Sequence, residues 1–301
     1  MTPKNNDNDQ KRINQLLTML WNAKSTARVI SIADQILEIS PNNTEALILK
    51  ADNIDDSDEQ IKLLLRALST IGESEDYDLY FTALNHRLAY IYFVKENFSE
   101  AIKYCEHAIN YADEHENNAD EFDDKILTDV KALYYRILIH YKEWNKILTQ
   151  TMKDSENSLA RAYAKLIAVW STAPENKRQN LCAGMFWDAL MLAPDVPFYI
   201  LGFFEEPDDN ASSEVLEDFN FALLYYDTVS ISEEFHQWFS RGTILFGLLS
   251  GRFDNEEYDY MLDALDNFGG YLEYQRMRRI LTSTEDEEVI ETLAANKCLA
   301  E

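Results

Sequence analysis

LNHRLAYIYFVKENFSEAIKYCEHAI, residues Leu84 to Ile109, is the stretch that decides the fold. Apolar residues recur through it at three- and four-residue spacing, the period of an α-helix, with a polar break in the middle. Leu88, Ala89 and Tyr92 mark one face before the break, and Ala101, Cys105 and Ala108 mark one after it. Asn97 and Phe98 fall at the turn. The small residues let two helices cross closely, and the large ones fill the space toward neighbouring units. The stretch predicts a helix–turn–helix pair.

The same pattern continues toward the N-terminus. Ile13, Leu16, Leu17 and Leu20 form one stripe, Val29, Ala33, Ile36 and Leu37 the next, and the break between Asn22 and Ser25 separates them. SPNN at Ser40–Asn43 closes that pair and opens another, which ends on LLLRAL around Ala67. In the other direction a degenerate unit starts near Thr128, with Leu138 in its first helix and Trp144 at its turn. A fifth unit spans roughly Asn157 to Pro194, through Ala164, Cys182, Phe186 and Ala189. The polar residues 1–9 read as a frayed tail. The acidic run ADEHENNADEFDD, Ala112 to Asp124, accounts for the longest gap between units.

Residues 10–194 resemble the tetratricopeptide repeat, a helix pair of about 34 residues. Placing Pro41 at the proline of that repeat starts units at Gln10 and Thr44, the family's own spacing. The resemblance implies an all-α fold, an α-α solenoid of about five helix pairs. Beyond Pro194 the pattern loosens. LAPDVPFYILGFFEEPDD, Leu192 to Asp209, and the following Ala222 and Tyr225 resemble a stretch of the suppressor of tumorigenicity seven family and its bacterial relatives. The matching residues are Ala189, Pro194, Val196, Tyr199, Leu201 and Gly202, while Asp195 departs from the pattern. That likeness implies a bacterial regulatory or helper protein and carries no catalytic meaning. Residues 195–301 then read as a less regular helical extension or cap, with helices near Ser212–Val229, Ser232–Leu249, Asn255–Asn267, Tyr271–Leu281 and Glu285–Ala295.

Eight Gly and six Pro in 301 residues are too few for the turns of a sandwich or barrel. With 54 acidic residues against 27 basic ones, the formal charge is −27. Such a surface repels phosphate backbones and anionic membranes, so nucleic acid and membrane are not expected partners. Solubility, or attraction of a basic partner, accounts for the charge. Cys105, Cys182 and Cys298 are odd in number and far apart, which argues for a reducing compartment and against disulfides or a zinc site. No signal-like start and no membrane-length apolar run stand out, so a cytoplasmic protein is expected.

His86, His107, His115, His140 and His236 do not form metal-ligand spacings, and the acidic clusters lack the central Gly of a calcium loop. No nucleophile elbow, phosphate-binding loop or dinucleotide fingerprint is present. No catalytic residue, metal or cofactor is therefore expected. The tetratricopeptide resemblance implies a concave groove lined by the outer face of each first helix. It assigns Ala83, His86, Tyr90 and Phe93 to the third unit, Asp129, Ala132, Arg136 and Ile139 to the fourth, and Ser158, Arg161, Lys165 and Ala168 to the fifth. Asp52 and Tyr90 occupy places where the family's carboxylate clamp carries Asn, so that clamp is not expected.

The expectation is a non-catalytic scaffold that binds a protein or peptide through His86, Tyr90, Phe93, Arg136, Arg161 and Lys165. On that reading the cations hold an acidic group and the aromatics pack apolar side chains. Alternatively, the cations balance acids between units. A reading from another class places a ligand or substrate pocket in the C-terminal helices, near Tyr199, Trp238 and Arg276–Arg279. Oligomeric state is left open.

Overall fold

The computed structural model describes residues 3–71, 77–114, 121–154, 157–208 and 210–300, and the protein is all-α, with helices packed in consecutive pairs. The Ile13–Leu20 stripe lies on α1 (Pro3–Trp21) and buries Ile13, Leu16 and Leu20 against Ile32, Ala33 and Ile36 of α2 (Thr26–Ile39). Helix α1 is already formed at Pro3, where a tail was expected. Proline suits a first helical turn, since its φ is preset and its missing N–H would have had no partner. Apolar periodicity begins at Ile13, so it carries no signal for the polar turns before it.

Asn43 caps α3 (Thr44–Ala51), its side chain accepting from the Ala46 N–H at 2.9 Å. Asp56 does the same for α4 (Ser57–Ile71), accepting from the N–H groups of Asp58 and Glu59. Those bonds hold its carboxyl below the usual carboxylate range. The next pair is α5 (Tyr77–Val94) and α6 (Phe98–Glu114). Between them Glu96 takes φ 57°, while Glu96 N–H bonds Phe93 O and Asn97 N–H bonds Tyr92 O. This is a Schellman stop made without glycine. Lys142 repeats it at φ 58° between α7 (Glu121–His140) and α8 (Trp144–Lys153). Of the expected acidic insert, 112–114 complete α6 and 121–124 begin α7, and the rest, with His115, lies outside the described residues.

The chain divides into two compact units, Met1–Tyr134 and Tyr135–Glu301. The division falls inside α7. The reason lies in α9 (Leu159–Thr172) and α10 (Arg178–Leu192), which are built into the C-terminal core. Trp170 of α9 packs on Phe235 and Trp238 of α13 (Glu233–Ser250), with ring centroids 5.1 and 4.8 Å away. Phe186 of α10 packs on Trp238 and Phe239. Short α11 (Val196–Ile200) and α12 (Ser213–Tyr225) precede α13, and α14 (Asn255–Asn267), α15 (Tyr271–Arg278) and α16 (Asp286–Ala295) follow it.

The residues after α16 fold back into this core. Trp187 Nε1–H donates to Cys298 O at 3.3 Å, and Trp238 Nε1–H donates to Leu299 O at 3.0 Å. Gly242 makes room for them: a Cβ there would lie 2.5 Å from Leu299 Cδ1 and 2.7 Å from the Phe186 ring. Arg252 ties the unit elsewhere, bonding Asp195 at 2.9 Å and both oxygens of Asp286 at 2.6 and 2.8 Å. Cys105, Cys182 and Cys298 are fully buried, and burial raises all three thiols, the last two to about 12. Among the described residues no helix is long and apolar enough to cross a membrane.

Candidate functional site

The capped, short α3 leaves a cleft of about 420 Å³ between itself, α4 and α5, entirely within the first unit. Its floor includes Ala51, Leu64 and Ile91, the first two buried. At the mouth, Tyr90 and Val94 stand one helical turn apart on α5, 54% and 61% exposed. Together they put apolar surface in solvent on one edge of the cleft. His86, one turn earlier, completes the α5 wall.

Electrostatics divide the cleft into a neutral interior and a charged rim. Burial, then the neighbouring Arg87, pushes the His86 imidazole down to about 4, so it is neutral at pH 7 and can still donate and accept a hydrogen bond. Arg87 pairs with Asp52 through Nε at 2.9 Å and Nη2 at 3.1 Å, joining α5 to the end of α3. Lys95 reaches Asp58 at 3.0 Å, and Lys62 reaches Glu59 at 3.2 Å. Gln60 is committed to the loop, donating to Ala51 O and Ile54 O. Asp52 and Arg87 are the charged residues that line the cleft, and they pair with each other; the adjoining loop and first turn of α4 carry Asp55, Asp56, Asp58 and Glu59, so the chain beside the mouth is acidic.

The six expected groove residues fall three to each unit. In the first unit, His86 and Tyr90 line the cleft with Asp52, and Phe93 packs instead on Phe98 at the inter-helix turn, centroids 5.8 Å apart. In the second unit, Arg136 is 9% exposed and does not face an open groove. Its Nε donates to Leu224 O at 2.8 Å, and its Nη2 contacts both oxygens of Asp227 at 2.7 Å. The repeat register aims Arg136 outward, but chain 88 and 91 residues further on covers that face. Ala132, Ile139 and Ala168 are buried as well. Arg161 donates to Thr151 O at 3.0 Å and stands in the Ser158-capped first turn of α9. Lys165 is half-buried and has no ion pair among the described residues.

Arg87, Leu64, Ile91 and Val94 belong to the cleft but were not singled out from the sequence. Asp52 and Arg87 are 35 residues apart, close to one repeat length, and that spacing between opposite charges was the available signal. The C-terminal candidates separate too. Trp238 is core, and Tyr199 packs on Phe204 and Phe219. Arg276 reaches Asn296 O at 3.5 Å and Glu273 at 3.8 Å, and Arg278 of the cluster lines a pocket. No group of three or more His, Cys, Asp or Glu among the described residues could hold a metal ion. Neither the family models nor the curated proteins contain a match to this chain.

Proposed function

We propose that this chain is a non-catalytic, tetratricopeptide-like adaptor of the cytoplasm, and that it takes a short segment of a partner protein into the cleft between α3, α4 and α5. The observation that carries this reading is the exposed Tyr90–Val94 pair above an apolar floor. The acidic chain beside the mouth favours a segment with one apolar side chain for the cleft and Lys or Arg flanking it. The neutral His86 offers that segment's backbone a hydrogen-bond partner. Arg136 belongs to the architecture on this reading, and the attraction is for basic rather than acidic sequence.

Photo-crosslinking from Tyr90, replaced by a benzophenone amino acid in the producing cell, tests it. A captured segment rich in Lys or Arg beside an apolar residue is expected. Capture lost with Val94→Asp and kept with Tyr260→Ala, a change at an exposed tyrosine outside the cleft, supports the reading. Capture that ignores Val94→Asp overturns it.

A further inference from the structure

We propose that the second unit binds a small amphipathic anion, a carboxylate or phosphate on an apolar body, in a pocket between α13, α14, α15 and the segment before α16. The pocket holds about 570 Å³, within the range of small-molecule sites. It shares no residue with the peptide cleft and stands independently of it.

Charge is the first observation. The chain carries two acids for every base, yet no carboxylate lines this pocket, and Arg278 does. Arg278 has no carboxylate partner among the described residues. Its Nη1 donates to Tyr258 Oη at 3.3 Å, and its guanidinium lies 5.9 Å from the centre of the Tyr274 ring. A guanidinium has further N–H groups in a planar fork, and that fork matches the two oxygens of a carboxylate or phosphate.

Proton counting is the second. The hydroxyls of Tyr258 and Tyr274 bond each other. One O–H serves that bond, and the other has no acceptor among the described residues, whichever tyrosine donates. Tyr274 is buried, and burial with the Tyr258 hydroxyl beside it pushes its phenol up to about 12, so Tyr274 keeps its proton at neutral pH. An anion meets the spare proton and the Arg278 fork together. Leu248, Leu249 and Leu281 supply an apolar wall for the rest of the ligand. Thr282 already donates to Glu288, while Ser283 accepts from Glu285 N–H and keeps its own O–H, so the Ser283 and Thr284 hydroxyls are further donors at the pocket.

Calorimetric titration of the full chain with octanoate, phenyl phosphate and octylammonium tests the site. Saturable binding of at least one anion and none of octylammonium is expected. Octanoate alone assigns a carboxylate, and phenyl phosphate alone assigns a phosphate. Arg278→Gln weakens binding roughly tenfold, and Arg278→Lys, which keeps the charge and loses the fork, falls between. Tyr258→Phe, which keeps the ring, weakens it severalfold, with circular dichroism unchanged in each variant. No saturable binding by either anion, or equal affinity in Arg278→Gln, overturns the proposal.

Discussion

The two compact units are made from the same kind of helix pair and are held together differently. In the first, the side-chain bonds between pairs link neighbours: Lys50 to Asp34, Tyr80 to Glu45, Arg87 to Asp52, Tyr134 to Glu106. In the second, single bonds reach across the unit, from Trp187 to Cys298 and from Arg136 to Asp227. Nearest-neighbour stacking makes stability a sum of local contributions, whereas distant closures make it collective. The neighbour-linked unit can therefore leave a cleft open between consecutive helices, and the closed unit covers the corresponding face.

The sharpest break of that comparison is a core truncation in each unit. Trp187→Ala is expected to cost about 3–5 kcal/mol and to speed amide exchange in both α10 and α16. Leu64→Ala, costing about 2–5 kcal/mol, speeds exchange only in α3, α4 and α5. Faster exchange confined to α10 in the first variant would remove the distinction. Next in size, Arg136→Ala lowers stability by about 2–3 kcal/mol, because Asp227 and Leu224 O lose their donor. Chemical denaturation measures this, and a stability unchanged from the parent would return Arg136 to a free surface.

Acid sharpens the contrast by sign. His86 is held down to about 4 in the fold and titrates near 6.5 when unfolded. The unfolded chain takes the proton first as pH falls, so this group's share of first-unit stability, on the order of 1–2 kcal/mol, is lost between pH 6.5 and about 4. Asp218 is raised to about 6 by burial and by Asp195, Glu214 and Glu217. Here the folded chain takes the proton first, so the second unit gains about 1 kcal/mol between pH 6 and about 4, after allowance for partial exposure. His86→Gln and Asp218→Asn each flatten the matching slope in pH-dependent melts. Smallest is the left-handed stop. Glu96→Gly and Lys142→Gly each add about 0.5–1 kcal/mol, since glycine adopts positive φ without a Cβ clash, as a modest rise in melting temperature reports.

What was legible in the sequence follows the range of the interaction. The five helix pairs are written in three- and four-residue spacings, and α2, α3, α9 and α10 lie where those spacings place them. The repeat register alone brings Asp52, His86 and Tyr90 to one cleft, since neighbouring repeats meet in a fixed way. The burial of Arg136 depends on residues about 90 positions away, and no local pattern encodes such a meeting. The packing of Trp170 and Phe186 on α13 is hidden for the same reason, because both look like ordinary repeat residues in the local sequence.

The three buried cysteines give these units their own chemical clocks. A thiol raised this far by burial reacts with an alkylating reagent only after the structure around it opens. Cys105 reports opening of the first unit, and Cys182 and Cys298 report the second from opposite sides of one hydrogen-bonded seam. If that seam opens as a block, those two thiols are consumed at one common rate once the reagent is concentrated enough to outpace reclosing, however differently their neighbouring residues would have protected them alone.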